Sequence, residues 1–494
     1  MHLFDCSPEV VEHIFEAIAS SRDLKRFMRL RLVNRQFKYF VDDAIFRLRL
    51  LDFADMYWRG TSLNEWSAYA LEYLVYQAWV EKDPKSLRGR IRRAAVIMSE
   101  QVGETEQTSI KARLRSLCHL ALHNKYWSST QTPFYSETLS SSSGCYEEEL
   151  EADLCVAAVY LGHLSYVESL ISKGYRLWNH HQIADELSGV FGGAYRAAVL
   201  KGDLSMIRLL ISSEPSCDQP PLPDSELYRW VAGRAARFGY KDVFDFACDC
   251  GHIGLPQREG VHNHRDLEYK NLKEYHFVRE MIADTPHPDI YKRGASMPIP
   301  KGELFIPRRL TLLRLLGEKA RAGHVDMVRY LLNQTPWPNQ EDVADGLTSI
   351  WDPYKLLIDA AEGGNPEIIK LLLHHGANPN WSPDVDTALM AATRHSGLTI
   401  AKILLDAGAE VNVGCPPPIV LAVFKEDMDM FHLLRRYGAK LNTPETGNWA
   451  MAVAYLYELE SMVDVLIQEG VERGVVLYRC PARGEKYHHG YLFP

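Results

Sequence analysis

The sequence lacks any long uninterrupted apolar run. Its longest uncharged apolar stretch, about residues 154–167, contains Gly162, His163 and Ser165, and it is shorter than the ~20 residues that a membrane-spanning helix needs. Acidic residues also interrupt the N-terminal segment, where a signal peptide would carry its apolar region. These absences predict a cytoplasmic or nuclear protein that has no membrane partner.

The cysteines and the charges exclude two further classes of protein. The nine cysteines are scattered along 494 residues, which is not the pattern of a disulfide-stabilised secreted domain. The 55 basic and 64 acidic residues give a net charge of −9, whereas a nucleic-acid-binding domain is usually strongly basic. A basic excess occurs between Arg22 and Arg49, and we expect it to be a solvent-exposed helix face because no aromatic stacking platform accompanies it. We predict no nucleic-acid partner.

Two segments resemble catalytic or metal-binding motifs, but each lacks the other residues or the spacing that its chemistry needs. Residues 264–271 match the catalytic-loop pattern of protein kinases, but the phosphate loop, the strand lysine and the Asp-Phe-Gly that this chemistry needs do not occur in order. Cys248 and Cys250 with three nearby histidines form a conceivable zinc site, but the spacing is not a standard ligand pattern, and a buried apolar position is the favoured interpretation of Cys248. We predict no enzyme activity, no cofactor and no metal site.

From about residue 150 onward the sequence resembles itself, which indicates a repeat architecture. A small residue defines the first column of the pattern, and a leucine follows twelve residues later. The first column contains Ala158, Ala198, Ala235, Lys319, Ala360, Ala392, Ala422 and Ala454, so that Lys319 is its exception. The second column contains Leu170, Leu210, Ala247, Leu331, Leu372, Leu404, Leu434 and Leu466. Small side chains let two antiparallel helices approach closely, and the pattern therefore predicts about eight helix pairs.

Glycines complete this pattern at the ends of the predicted helices. Those after the leucine column are Gly174, Gly251, Gly376, Gly408, Gly438 and Gly470. Those between the two helices of a pair are Gly162, Gly202, Gly239, Gly323 and Gly364, and Ser396, Glu426 and Glu458 replace them in later copies. We expect the glycines after the leucine column to adopt the left-handed backbone conformation that ends many helices.

The copies resemble ankyrin repeats. The best matches are Asp359–Gly364 with Leu371–Asn380, and Thr387–Met390 with Leu404–Asn412. The last four copies are spaced by 32, 30 and 32 residues, close to the ~33 residues of that family. The resemblance implies an all-α ankyrin-repeat solenoid over residues 150–472, with insertions at 252–313 and 336–354 and a C-terminal tail at 473–494.

Residues 4–50 resemble an F-box. Ser7-Pro8-Glu9 predicts a helix start, and an apolar stripe at helical spacing follows it. The family pattern is matched at Pro8-Glu9, Ile14-Phe15, Asp23-Leu24 and Leu30–Phe37, and the sequence departs from it at Cys6, Ser7 and Asn34. Between this unit and the repeats, we predict a helical connector at 51–127 and a Ser/Glu-rich linker at 128–149.

The two resemblances together imply a non-catalytic adaptor. The F-box would dock a Skp-type subunit of a cullin-based ubiquitin ligase, and the repeats would bind a protein substrate. The residues at matching F-box positions, which would contact the Skp-type subunit, are Pro8, Glu9, Ile14, Phe15, Leu24, Leu30 and Val33. In the 336–354 insertion, Trp337 and Trp351 are candidate anchors for the substrate, because rigid aromatic residues are favoured at interfaces. The alternative for these two residues is that both indoles fold back and cover the flank of the repeats. The alternative is an ankyrin-repeat scaffold without a ubiquitin-ligase role, whose N-terminal helices cap the repeats.

Overall fold

The computed structural model describes residues 6–21, 27–28, 30, 35–50, 63–123, 146–173, 188–213, 226–251, 253, 282–295, 308–334, 355–380, 386–441 and 443–472. Over these ranges the protein is helical and has no β-strand; its one isolated β-bridge joins Ser188 and Gly192. The prediction of an all-α fold is confirmed. The chain divides into two compact units: unit 1 contains Met1–Gly260 and His276–Ile282, and unit 2 contains Val261–Tyr275 and Ala283–Pro494.

Five described helices precede the repeats in unit 1. They are α1 (Pro8–Ser21), α2 (Arg35–Arg47), α3 (Leu63–Val80), α4 (Leu87–Val102) and α5 (Gln107–Leu122). The predicted helix start at Ser7-Pro8-Glu9 is confirmed, because α1 begins at Pro8. Buried residues of α1 and α2 form a cluster that Tyr69 and Tyr73 of α3 complete, and the Tyr69 hydroxyl donates a hydrogen bond of 3.0 Å to Asp42. The predicted F-box-like unit therefore shares its core with the predicted connector.

All eight predicted copies are helix pairs. In unit 1, repeat 1 is α6 (Tyr146–Leu161) and α7 (Leu164–Ser172), repeat 2 is α8 (Ala194–Lys201) and α9 (Leu204–Ser212), and repeat 3 is α10 (Glu226–Phe238) and α11 (Lys241–Cys250). In unit 2, α12 (Pro288–Ala295) lies within the predicted insertion at 252–313. Repeat 4 is α13 (Arg308–Arg321) and α14 (Val325–Gln334), repeat 5 is α15 (Leu356–Gly363) and α16 (Pro366–His374), and repeat 6 is α17 (Ala388–Arg394) and α18 (Leu398–Asp406). Repeat 7 is α19 (Pro418–Lys425) and α20 (Met428–Arg436), and repeat 8 is α21 (Pro444–Leu456) and α22 (Glu460–Gln468).

The start of α6 differs from the predicted linker boundary. The linker was predicted to run to residue 149, whereas α6 begins at Tyr146 and has Glu147, Glu148 and Glu149 in its first turn. Acidic side chains near a helix N-terminus are stabilised by the positive end of the helix dipole. The acidic run therefore begins the first repeat.

The repeated columns form the interior of each unit. All seven alanines of the first column are fully buried, and every residue of the leucine column is buried as well. Within each unit, the first helix of a repeat packs against the first helix of the next repeat. Lys319, which replaces alanine in repeat 4, is also buried, with 3% of its surface exposed. The two columns found in the sequence therefore identify the residues that pack between the helices, including the buried Lys319.

The glycine prediction is confirmed in unit 2 and is wrong at one position of unit 1. Gly376, Gly408, Gly438 and Gly470 have φ between 86° and 90°. Gly251 has φ −83° and a right-handed backbone. A Cβ atom at Gly251 would lie 2.6 Å from the Tyr228 Cβ atom, so close packing explains the glycine there. Gly174 lies outside the described residues.

Asparagine side chains join successive repeats in unit 2. The Asn380 amide donates to the Gly408 carbonyl over 2.9 Å, and its oxygen accepts from the Glu410 N–H over 2.6 Å. Asn412 makes the same pair of hydrogen bonds one repeat later, to Gly438 and Lys440. These bonds fix the turn of one repeat against the turn of the next.

Candidate functional site

The predicted F-box positions divide into exposed and buried residues. Pro8 and Glu9 are exposed at the first turn of α1. The pKa of Glu9 is lowered by a hydrogen bond from the Glu9 backbone N–H and, to a smaller extent, by one from the Ser7 side chain. Ile14 and Leu30 are half-buried. Phe15 is fully buried and packs against Phe37 and Phe40. Phe15 therefore supports the unit from inside, and direct contact with a partner, as predicted for it, is incompatible with this packing.

Four of the predicted interface residues are not placed by the structure. Leu24 and Val33 of the F-box-like segment lie outside the described residues, as do Trp337 and Trp351 of the 336–354 insertion. The proposed role of the two tryptophans stays a prediction.

A pocket of about 240 Å³ lies between the first helices of repeats 2 and 3, beside the end of α5. We call it the basic–aromatic pocket. Its lining includes the apolar side chains of Val199, Leu200, Trp230 and Phe238 and the guanidinium groups of Arg196, Arg234 and Arg237, with His123 at the end of α5. The lining thus combines apolar surface with three permanent positive charges.

Local contacts position two of the three arginines. The Arg196 guanidinium donates a hydrogen bond to the main-chain carbonyl of His123. The Arg234 guanidinium lies 5.8 Å from the centre of the Trp230 ring, a cation–π distance. Burial is the main cause that lowers the pKa of Arg234, and the positive charge of Arg237 lowers it further. The pocket therefore brings like charges together in a partly desolvated place.

Positive charge continues from the pocket toward the end of α5. A hydrogen bond of 2.9 Å joins the His119 Nδ1 atom and the Tyr160 hydroxyl. Burial lowers the pKa of His119, and the charges of His123, Lys201 and Arg115 lower it further. Lys201 also lies over the Tyr160 ring at 5.5 Å. Burial and these neighbouring charges together favour a neutral His119.

Sequence reasoning missed this pocket, although the repeat register contains a signal for it. Arg234 directly precedes the column alanine Ala235, and Arg237 follows it by two residues. The first helices of neighbouring repeats pack side by side, so residues at these positions can meet across two repeats. The signal is thus two arginines placed beside the column alanine of repeat 3, on the helix face that neighbours repeat 2.

The alternatives that invoke catalysis or metal binding gain no support from the described residues. The kinase-like segment 264–271 lies outside them. Cys248 is buried, as its repeat position predicts, whereas Cys250 is exposed. Within the described part of the chain, no group of three histidine, cysteine or acidic side chains is arranged to hold a metal ion. Cys415 is disulfide-bonded, although the scattered cysteines are not the pattern of a disulfide-stabilised domain.

Among the described helices, none has both the length and the apolar character that a bilayer crossing requires.

Comparison with known families agrees with the helix pairs. Residues 316–415 match the family model of ankyrin repeats, in three copies. The matched range spans repeats 4 to 6. The chain contains ankyrin repeats. The predicted ankyrin-like architecture is thereby confirmed for this part of unit 2.

A curated relative agrees with this match. The "Ankyrin repeat and KH domain-containing protein mask-1" of Caenorhabditis elegans is 27% identical over 126 residues. The alignment covers 25% of this chain and 4% of that relative. The likeness therefore concerns the repeats and a small part of the relative.

Proposed function

We propose that this chain is a non-catalytic adaptor that binds other proteins through its ankyrin repeats. The observation that carries the proposal is that each repeat buries one set of side chains and leaves another set accessible. The apolar columns are buried between helices, so recognition must use the side chains that remain accessible on the first helices and in the turns. Ankyrin repeats of this kind suggest a protein-interaction role, and the described residues offer a pocket rather than a catalytic constellation.

The finer proposal is that the N-terminal helices dock a Skp-type subunit of a cullin-based ubiquitin ligase. It is supported by the F-box resemblance and by the exposure of the first turn of α1. Val10, beside Pro8 and Glu9, leaves 46% of its surface exposed, and Tyr39 of α2 leaves 66% exposed. The repeats would then hold a substrate near the ubiquitin-conjugating enzyme, which raises the effective concentration of its lysines without local chemistry.

A second candidate is an ankyrin-repeat scaffold that has no ligase role. The packing of Tyr69 and Tyr73 into the α1–α2 core favours it, because helices that cap the repeats would share a core with the rest of unit 1. The two candidates differ in whether the exposed surface of α1 binds a partner.

The test is co-purification of the full chain with a Skp-type subunit. Deleting residues 1–50 would uncover Tyr69 and Tyr73, so a point substitution is the sharper tool. We expect Val10→Asp to reduce recovery of the Skp-type subunit, because the new charge must be desolvated in the interface. Val80→Asp is the matched control, since Val80 lies in the same unit and is 43% exposed.

The outcomes separate the candidates. Loss of the subunit with Val10→Asp but not with Val80→Asp supports the ligase adaptor. Failure of the unsubstituted chain to bind any Skp-type subunit would overturn that role and leave the scaffold. Equal recovery with both variants would remove α1 from the interface.

A further inference from the structure

Repeat 8 exposes positions that the other repeats bury. The residue directly after the first column is buried in repeats 1 to 7, whereas Tyr455, at that position in repeat 8, is 43% exposed. Leu456 beside it is 58% exposed. The apolar residue three positions before the second column is likewise buried in repeats 1 to 7 and is only half-buried at Val463.

These residues lie on one side of repeat 8, which we call the outer face. The first helix of each repeat packs against the first helix of the next repeat within a unit. The outer face is therefore the side of repeat 8 that points away from repeat 7, and Ile467, one turn after Val463 on α22, extends it. Terminal repeats of a solenoid usually carry a polar outer side. The apolar outer face of repeat 8 departs from this rule.

Acidic side chains border the outer face. Glu460 and Asp464 lie on the same helix as Val463 and are exposed. Residues 441–472 contain six acidic residues and no lysine, arginine or histidine. One of the six, Glu469, is paired with Arg435 of repeat 7 at 2.7 Å. A segment that fits this face combines apolar side chains with basic ones.

The residues that follow repeat 8 have this composition. Residues 475–478 are Val-Val-Leu-Tyr, and Arg473 and Arg479 stand on either side of them. Residues 473–486 contain four basic residues and one acidic residue. This segment lies outside the described residues, which end at 472. Its sequence is complementary to the outer face both in apolar character and in charge.

The segment is also long enough to reach the outer face. The nine residues of α22 form a helix about 13.5 Å long, at a rise of about 1.5 Å per residue. Six extended residues span ~20 Å, so residues 473–478 can run back along α22 as far as Val463. A segment joined directly to its docking surface also has a far higher effective concentration there than a separate partner has.

We propose that residues 473–479 dock on the outer face of repeat 8, with the apolar run 475–478 against Tyr455 and Val463 and the flanking arginines toward the acidic border. The chain thereby covers the end of its own repeat array, and another protein reaches this face only when the segment is displaced. The inference goes beyond the interaction role proposed above, and it applies equally to the adaptor and to the scaffold.

Trypsin cleavage of the full chain measures this docking. Trypsin cuts after arginine, and the rate of the cut after Arg479 reports how often the docked segment opens. Mass spectrometry quantifies the cut, and a free peptide of residues 468–484 gives the rate for the undocked sequence. Dithiothreitol is present throughout, so that no disulfide holds Cys480. We expect the full chain to be cut about tenfold more slowly than the peptide.

A substitution on the outer face should release the segment. We expect Tyr455→Asp to raise the rate of the cut about tenfold, to that of the free peptide, because the docked segment would take the new carboxylate out of water. Val413→Asp is the matched control, since Val413 is 39% exposed and lies between repeats 6 and 7. Its rate should equal that of the unsubstituted chain. Circular dichroism of each variant checks that the helices remain folded.

Reversing the charge of the acidic border tests the electrostatic part. We expect Glu460→Lys combined with Asp464→Lys to speed the cut after Arg479, and added salt to speed it in the unsubstituted chain, because salt screens exposed charges. Glu410→Lys combined with Asp429→Lys is the control. Both of these acids are exposed, in repeats 6 and 7, and their replacement changes the net charge by the same amount.

Several results would overturn the proposal. A cut as fast in the full chain as in the peptide would mean that the segment is undocked and that the outer face is open to a partner protein. Equal rates in Tyr455→Asp and the unsubstituted chain would remove the segment from this face. Release by Val413→Asp instead would place the segment on the turn beside Cys415. Protection that is lost on dilution, together with the mass of a dimer in light scattering, would assign the face to a second copy of the chain.

Discussion

Repeat 3 of unit 1 and repeat 5 of unit 2 place opposite charges at equivalent positions of their first helices. The residue before the column alanine is Arg234 in repeat 3 and Asp359 in repeat 5, and two residues after it stand Arg237 and Glu362. In unit 2 these acids are paired, because Arg321 of repeat 4 lies 2.6 Å from Asp359 and 3.0 Å from Glu362. In unit 1 the equivalent positions, Arg234 and Arg237, line the basic–aromatic pocket.

This difference distinguishes the column residues, which form the packing framework of the repeats, from the positions beside them, which do not. The column residues are buried in both units, and except for Lys319 and Ala247 they are alanine in the first column and leucine in the second, because the helices of a repeat pack closely against their neighbours. The positions beside the columns are under no such constraint, so their charge can differ from one repeat to the next. The same helix register therefore carries acidic side chains that pair with Arg321 in unit 2 and arginines that line a pocket in unit 1.

The two units also differ in what they bury, and the largest expected effect tests this difference. In repeat 1, Asp153 is fully buried and accepts hydrogen bonds from Arg90 at 2.7 Å and from Ser188 at 2.6 Å. Burial raises the pKa of Asp153, while Arg90 and then Ser188 act in the opposite direction. We expect Asp153→Ala to lower the unfolding free energy by about 3 kcal/mol, because it breaks one buried ion pair of Arg90 and leaves Glu149 as the carboxylate that still contacts the Arg90 guanidinium.

Urea titration followed by circular dichroism measures this loss. Asp289→Ala is the control, since Asp289 pairs with Lys292 at a half-exposed site, where such a pair contributes about 1 kcal/mol or less. Replacing both partners, with Arg90→Met and Asp153→Leu, should recover most of the stability. A loss no larger for Asp153→Ala than for Asp289→Ala would mean that the network does not hold repeat 1 together.

The next expected effect tests the framework that both units share. Ala392 of repeat 6 is fully buried between helices. We expect Ala392→Leu to destabilise unit 2 by about 1–3 kcal/mol through overpacking, measured as a lower midpoint of thermal unfolding. Ala112→Leu in α5 is the control because Ala112 is exposed. An unchanged midpoint for Ala392→Leu would contradict the assigned register.

The framework could be predicted from the sequence because it repeats. Eight copies of one pattern define the helix pairs, and the burial of Ala360 and Leu372 follows from the columns alone. The φ of 51–53° at Ser396, Glu426 and Glu458 could also be expected, since these residues occupy a glycine column. The packing of Tyr69 and Tyr73 onto the N-terminal helices could not, because no repeat or spacing relates them to α1.

The candidate site was predictable only in part, for the same physical reason. The F-box resemblance points to a continuous motif that includes the exposed turn at Pro8, and the contact predicted there stays a prediction. It does not distinguish this turn from the buried Phe15, since both belong to one pattern. The basic–aromatic pocket combines Arg196 with Arg234 across two repeats, and its residues share no column identity. Recognition residues vary between repeats, so periodicity does not reveal them.

Lys319 provides a third comparison, between repeat 4 and the other seven copies. Burial lowers the pKa of Lys319 from 10.5 to about 8, against the opposing effects of Asp284 and Glu318. The folded state then releases its proton at a lower pH than the unfolded state does. The charged lysine therefore destabilises the fold below pH 8, and stability recovers as the pH rises from about 8 to 10.5.

Lys319→Met tests this pH dependence. We expect the variant to be more stable than the unsubstituted chain at neutral pH, and the difference to shrink between pH 8 and 10.5, by at most about 1.4 kcal/mol per pH unit for a single proton. Urea titrations across this range measure the difference. Lys402→Met, at an exposed position of α18, controls for the loss of a charge. Parallel stability curves for Lys319→Met and the unsubstituted chain would contradict a buried charged lysine.

The smallest expected effect compares two turns that differ in one side chain. Gly364 in repeat 5 and Ser396 in repeat 6 join the two helices of their pairs, with φ of 76° and 53°. A Cβ atom at Gly364 would have no neighbour within 4 Å, so that only backbone strain distinguishes the two turns. A left-handed conformation costs a residue with a Cβ atom about 1 kcal/mol. We therefore expect Ser396→Gly to raise, and Gly364→Ser to lower, the unfolding free energy of unit 2 by about this amount. Ser461→Gly, on the exposed first turn of α22, should not stabilise, because glycine lowers helix stability. Changes of the same sign in the reciprocal pair would show that side-chain contacts, rather than φ, determine the residue at this turn.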